Sequence, residues 1–303
     1  MSSIPLLNNS FVKKIRRPLG RIRRWLRSRP ARTLKQREKL LRDSTLTLAD
    51  RKLLEQVETR VSPNDGMYVG NGNHYYRVGL SAIACIEQAL IAAKLNTVRN
   101  VLDLLCGHGR VLRFLVHRFP EAKFVACELD RDGVEFCAEF LGADAAYSEP
   151  DLSRLALGRE FDLIWCGSLV THLDDKKILE LLKAFSRHLA VGGLVLFTAP
   201  GDEVLERMTS GQFDYGINRK EIPIVANSYR ETGFGYTDYP YMANYGISLT
   251  SPQWIRDQVE KVGHLREVYY QPHGWDNHQD VYGFVKVGDA DMPRFHEVKT
   301  TTR

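Results

Sequence analysis

The stretch Val101–Leu115 reads VLDLLCGHGRVLRFL. Apolar residues flank one acid, Gly-x-Gly follows, and the segment then continues at helical spacing, which predicts a buried strand, a tight turn and a helix. Glycines after a first strand let the backbone approach a ligand, and the next helix presents unpaired amides. A dinucleotide-binding turn would carry a third glycine where this chain has Leu112, which disfavours a dehydrogenase. No Gly-Lys-Ser/Thr follows, which excludes a phosphate-cradling loop. What remains is Asp103 at the strand end, Gly107 and Gly109 in the turn, and Glu128, 19 residues beyond Gly109. Glu128 ends a second apolar run, where a carboxylate accepts hydrogen bonds from the two hydroxyls of a ribose. An acid beside the turn suits a cationic ligand better than a phosphate.

Outward from this turn, apolar strands and helical segments alternate. A helix over LADRKLLEQVETR and a loop SPNDGMYVGNGN precede a second helix, HYYRVGLSAIACIEQALIAAKL. After VLDLL come a helix from Arg110, FVACE, a helix from Arg131, DAAYS, FDLIWCG, a helix from Asp174 and GLVLFTA. Strands spaced this way form a parallel sheet covered on both faces, with every C-terminal strand end on one edge. Residues 201–245 carry eight Phe and Tyr residues among glycines and asparagines, too long for a connection and read as a lid or acceptor-binding insertion. SPQWIRDQVEKVGHL reads as a helix capped by Ser251, and LREVYYQP and DVYGFVKV as strands joined by HGWDNHQ.

VLDLLCGHG resembles the first motif of the class I S-adenosylmethionine-dependent methyltransferases, and ACELD the second. FDLIWCGSLVTHL and LAVGGLVLF resemble that family's fourth and fifth strands, and HYYRVG, YGISL and GWDNHQDV resemble a bacterial subgroup linked to glycan or surface-polymer biosynthesis. The resemblance implies an α/β, Rossmann-like fold: a seven-stranded, mostly parallel sheet with an antiparallel last strand and helices on both faces. To it this chain adds a basic N-terminal helical extension. The implied cofactor is S-adenosyl-L-methionine. Carried over residue by residue, Asp103, Gly107 and Gly109 serve its methionine part and Glu128 its ribose, with Leu129 beside the adenine. Asp151 and Leu152 face the adenine if PDLSRL is the third motif, for which Ser148 is the alternative; Gly167 and Ser168 line the methyl side.

Methyl transfer to a hydroxyl requires alignment of three atoms and removal of a proton, for which histidine is suited. His172 follows the fourth strand, and His273 and His278 lie in the turn between the last two strands, so these three are candidate bases; a packing or capping role is the alternative for His172, and a metal site for the cluster around His273 and His278. Tyr75, Tyr76, Tyr236, Trp275 and Asp276 are candidate acceptor contacts. Against this stand the anchoring of a leading helix for the two tyrosines and hairpin geometry for Asp276. No metal-ligand spacing is present. Cys106 is read as space-filling, and Arg110 as solvent-exposed, with a substrate-carboxylate role as its alternative.

The net charge of +5 hides an asymmetry: residues 1–42 hold 14 Lys or Arg and one acid, leaving −8 for the other 261 residues. In FVKKIRRPLGRIRRWLRSRP an apolar stripe (Phe11, Ile15, Leu19, Ile22, Leu26) runs opposite the arginines, with Trp25 beside it. This fits a basic amphipathic helix on an anionic membrane over residues 11–29, with a solvated or partner-binding tail and a nucleic-acid arm as alternatives. Five cysteines without metal spacing read as buried reduced thiols. With no secretory apolar segment near the start, the expected location is cytoplasmic, at the inner face of the membrane if the basic helix binds lipid.

The expected organisation is an extension over 1–44, a methyltransferase domain over 45–290 containing an insertion at 200–247, and a tail over 291–303. The expected reaction is O-methylation of a sugar hydroxyl in a glycan or lipid-linked precursor, or of another small molecule. The competing readings are a nucleic-acid methyltransferase anchored by the basic tail and a non-catalytic cofactor-binding scaffold. The first is disfavoured because Cys166–Leu169 lack an Asn/Asp-Pro-Pro-aromatic cradle.

Overall fold

The computed structural model describes residues 30–289. The segments 1–29 and 290–303, with the amphipathic helix and the tail expected there, lie outside the described residues. The helices are α1 (Pro30–Leu41), α2 (Leu48–Gln56), α3 (Gly72–Ala93), α4 (Leu112–Arg118), α5 (Arg131–Leu141), α6 (Asp175–His188), α7 (Asp202–Thr209), α8 (Ile222–Thr232) and α9 (Pro252–Val262). The strands are β1 (Asn100–Leu104), β2 (Lys123–Glu128), β3 (Asp144–Tyr147), β4 (Phe161–Cys166), β5 (Leu189–Ala199), β6 (Phe234–Tyr239), β7 (Met242–Thr250), β8 (Leu265–Trp275) and β9 (Gln279–Lys286).

Seven strands form one sheet in the order β3-β2-β1-β4-β5-β9-β8, and β6 pairs only with β7. The first five are parallel, and β9 runs antiparallel to both β5 and β8. This is the Rossmann-like arrangement expected from the sequence, with the antiparallel strand last. Alternation along each strand divides the core. Val101, Leu163, Trp165, Leu194 and Leu196 pack under α3–α5, while Leu102, Leu104, Ile164, Val195 and Phe197 pack under α6 and α9. All five cysteines are buried free thiols.

The helix α3 is long and apolar enough to cross a membrane by length and composition, but its buried face packs on the sheet, as in a core helix. The helix α1, which falls in the segment read as an extension, is packed on the body: Leu40 is fully buried, and Gln36 bonds the Gly70 carbonyl and the Tyr68 hydroxyl. Local chemistry fixes the helix starts around the ligand edge. Asp130 caps α5, Asp174 caps α6, and Ser251 caps α9 by accepting from the Trp254 amide.

Candidate functional site

The turn after β1 begins with Leu105 in the left-handed region (φ 66°), where its N–H donates a hydrogen bond to the Cys127 carbonyl. Gly107 (φ 52°) and Gly109 (φ 77°) complete the bend. A Cβ on Gly107 would meet nothing within 4 Å, so this side of the turn is open to a ligand. Gly109 faces inward instead, where a Cβ would sit 2.3 Å from the Leu141 side chain. The turn is supported from below by Arg113, whose buried guanidinium donates to the carbonyls of Gly109, His108, Glu58 and Arg60 and to the Tyr75 hydroxyl. His108 is buried with Nε2 3.0 Å from Asp132.

Asp103 and Glu128 flank this turn. Asp103 is 2% exposed, and its Oδ2 has no hydrogen-bond partner among the described residues. Burial and the neighbouring Glu128 charge push its carboxyl up to about 8, opposed by the Leu112 amide. Burial also raises Glu128, although its oxygens accept from the Leu129 amide (2.7 Å) and the Gly107 amide (3.4 Å). A buried, unpartnered carboxylate oxygen is costly, and a cation placed beside it would remove that cost. A second carboxylate across the turn has the chemistry to hold a diol.

Beside Glu128 lies a cavity of about 600 Å³, within the range of small-molecule sites. Its walls include Leu129 and Leu152 together with Met242, Asn244 and Tyr245. Ser148 and Glu149 also line it, whereas Asp151 is exposed and its Oδ1 caps the short 3₁₀ turn by accepting from Ser153. The tip of the β6–β7 hairpin thus covers the ligand edge. Residues 242–245 fall within the insertion expected at 200–247, of whose tip only Tyr245 is marked by the aromatic pattern. The tip's turn signal is Asn244, an asparagine in the left-handed region.

On the β4 side, Ser168 is left-handed (φ 66°) and clamped in a ring of hydrogen bonds. Its amide donates to Thr198 Oγ1 (2.8 Å), the Thr198 hydroxyl to Gln279 Oε1 (2.6 Å), and Gln279 Nε2 to Ser168 Oγ (2.7 Å). Neither Thr198 nor Gln279 stood out in the sequence. Trp275 is buried edge-on to Trp165, its Nε1 donates to the Val78 carbonyl, and its ring lies 3.0 Å from where a Cβ on Gly167 would be.

The candidate acceptor residues separate into groups. His172 stacks on Tyr245 at 4.6 Å, with Nδ1 3.1 Å from both the Gly246 carbonyl and the Tyr239 hydroxyl. A carbonyl can only accept, so Nδ1 carries the proton and Nε2 keeps its lone pair. Burial lowers the pKa of His172, which favours the neutral ring. His273 and His278 gather with Glu203 and Arg207 of α7, and His278 stacks on Tyr215. Tyr75 and Tyr76 are almost wholly buried, and Tyr236 bonds Asp238 on the hairpin. Asp276 lies 3.5 Å from His74. Arg110, read from sequence as exposed, is partly buried, with its guanidinium 5.5 Å over Trp275. Among the described residues no three His, Cys, Asp or Glu side chains gather as a metal-binding group.

Residues 101–193 match the family described as "Methyltransferase domain". A malonyl-[acyl-carrier protein] O-methyltransferase of Bacillus cytotoxicus is 26% identical over 110 residues, covering 36% of this chain and 38% of that protein. A trans-aconitate 2-methyltransferase of Azoarcus is 30% identical over 117 residues, covering 37% and 43%. The chain thus matches about two fifths of the length of these curated relatives. Among solved structures, an S-adenosylmethionine-bound amino pentose methyltransferase from Micromonospora echinaspora aligns with a TM-score of 0.49 at 16% identity, covering 69% of this chain and 92% of that one. Residues 101–193, about a third of this chain, match a methyltransferase domain, whose cofactor is S-adenosylmethionine.

The residues present fit that cofactor: Asp103 offers the unpartnered acid, Gly107 the open backbone and Glu128 the diol acceptor. Glu128→Ala should weaken binding of S-adenosylhomocysteine by about tenfold, the cost of charge-assisted hydrogen bonds lost. Isothermal titration calorimetry reads it, and an unchanged affinity would place the ribose elsewhere.

Proposed function

We propose that this chain methylates a hydroxyl, preferentially of a sugar in a glycan or lipid-linked precursor and otherwise of another small molecule. The observation that carries this reading is the state of His172, neutral, with Nδ1 pinned by the Gly246 carbonyl and Nε2 free to take a proton. Tyr245, on which the imidazole stacks, lines the cavity beside Glu128, so the base stands at the rim of the cofactor site. When bound, S-adenosylmethionine supplies an electrophilic methyl group on a sulfonium. Asp103 offsets positive charge at the β1 end, Glu128 fixes the ribose, and the Ser168–Thr198–Gln279 ring holds the β4 loop rigid. His172 accepts the proton that an attacking hydroxyl must lose. Positioning of this kind and base catalysis each lower such a barrier by several kcal/mol, on the order of magnitude found elsewhere.

Support for a sugar acceptor comes from the aromatic rings of the insertion, with Phe213 and Tyr241 exposed. The name of one curated relative also specifies O-methyl transfer. The basic stripe of residues 11–29 would hold the protein at an anionic membrane carrying such precursors, which sedimentation with phosphatidylglycerol against phosphatidylcholine vesicles would test. The main test is incubation of the protein with methyl-labelled S-adenosylmethionine and candidate glycans, followed by acid hydrolysis. Label in an O-methyl sugar, diminished by His172→Asn at unchanged S-adenosylhomocysteine affinity, is the expected result. Label in nucleic acid, or in no acceptor fraction, would overturn it.

A further inference from the structure

Two arginines leave the glycine turn close together, and their surroundings differ. Arg113 spends its guanidinium on five oxygens of the protein. Arg110 has no hydrogen bond and no ion pair among the described residues, although burial is strong enough to lower its pKa. The acids near it are committed elsewhere. Asp65 accepts from the Tyr75 hydroxyl on one oxygen and from the Met67 amide on the other, and Asp276 faces His74 at 3.5 Å. What holds Arg110 is the Trp275 ring 5.5 Å below it, itself fixed by the Val78 carbonyl. That ring abuts Gly167 at the end of β4, so the guanidinium stands on the β4 side of the turn, opposite Glu128 on β2.

A partly desolvated guanidinium on an aromatic platform, with its donors uncommitted, matches a planar anion that can accept two parallel bonds. We propose that Arg110 receives a carboxylate at the β4 side of the glycine turn. This rests on the cofactor reading above. The carboxylate has two sources: the amino-acid end of S-adenosylmethionine, or an acidic acceptor bound beside it.

Arg110→Met keeps the stem and volume and removes the fork; Arg110→Lys keeps the charge and serves if the first variant does not fold, judged by circular dichroism. Calorimetry compares S-adenosylhomocysteine with 5′-methylthioadenosine, which lacks the amino-acid end. Weakening of the first by about tenfold or more, with the second unchanged, assigns the cofactor's own carboxylate to Arg110. Unchanged binding of both, together with malonate binding to the S-adenosylhomocysteine-loaded wild type that the variant loses, assigns the acceptor's carboxylate. Unchanged S-adenosylhomocysteine affinity without any Arg110-dependent malonate binding overturns the proposal. A wild type that binds neither nucleoside overturns the cofactor reading, and this assignment falls with it.

Discussion

Replacing Gly133 by alanine is expected to cut S-adenosylhomocysteine affinity by about a hundredfold, although the residue lies inside a helix and outside the glycine motif. Helix propensity alone favours the change by about 1 kcal/mol. Packing opposes it: a Cβ at this position would sit 2.4 Å from the carbonyl oxygen of Gly107 and 2.9 Å from its carbon. That neighbour is backbone, so it cannot rotate away; either α5 tilts or the cofactor turn moves. Overpacking of this kind costs about 1–3 kcal/mol, so after the gain in helix propensity the net loss of stability is at most about 2 kcal/mol. The turn carries the displacement, and shifts near 1 Å in a preorganised site cost on the order of a hundredfold. Gly158→Ala is the control. Unlike Gly133 it has a positive φ (65°), and a Cβ there would meet nothing within 4 Å, so it should lose about 1 kcal/mol of stability and no affinity. Calorimetry and thermal unfolding of both variants make the test; wild-type affinity in Gly133→Ala would show that the turn does not set the cofactor site.

Cofactor affinity should also rise with pH by up to about tenfold per unit, reaching roughly a hundredfold between pH 6 and pH 8, and then level off. The cause is Asp103. Its folded pKa of about 8 means that the free protein holds a proton there at neutral pH. A sulfonium or ammonium nearby favours the carboxylate, so binding expels that proton until the free protein has lost it already. The same shift governs the stability of the ligand-free protein. An unfolded chain releases the Asp103 proton near pH 4, whereas the folded chain keeps it to about 8, so stability falls as pH rises through this window and is flat above it. Asp103→Asn should flatten both profiles and weaken binding at pH 8. Titrations between pH 5.5 and 8.5 read the first, and unfolding midpoints the second. A wild-type affinity independent of pH would mean that no cation sits beside Asp103.

The central strands were readable from sequence because they are buried on both faces and therefore appear as apolar runs with a single acid each, VLDLL, FVACE and FDLIWC among them. The glycine turn was readable because it needs residues without side chains. Other parts of the site depend on which atoms meet in three dimensions. The two nearby arginines could not be told apart by type, and the one read as exposed is the partly buried one over Trp275. Gly133 carries no signal in the sequence, because its role lies in the close approach of its backbone to the Gly107 carbonyl. Asp151 and Ser148 were open alternatives, and the capping bond to Ser153 turns Asp151 outward while Ser148 lines the cavity. The hairpin tip over that cavity reaches it through tertiary packing, which no local pattern encodes.

The Arg113 guanidinium ties the carbonyls of Glu58 and Arg60 to those of His108 and Gly109. Anyone trimming this chain for expression to the matched span of residues 101–193 would delete half of that knot and strand a positive charge in the interior. The shortest fragment able to keep its cradle must therefore start upstream of residue 58, well before the first strand.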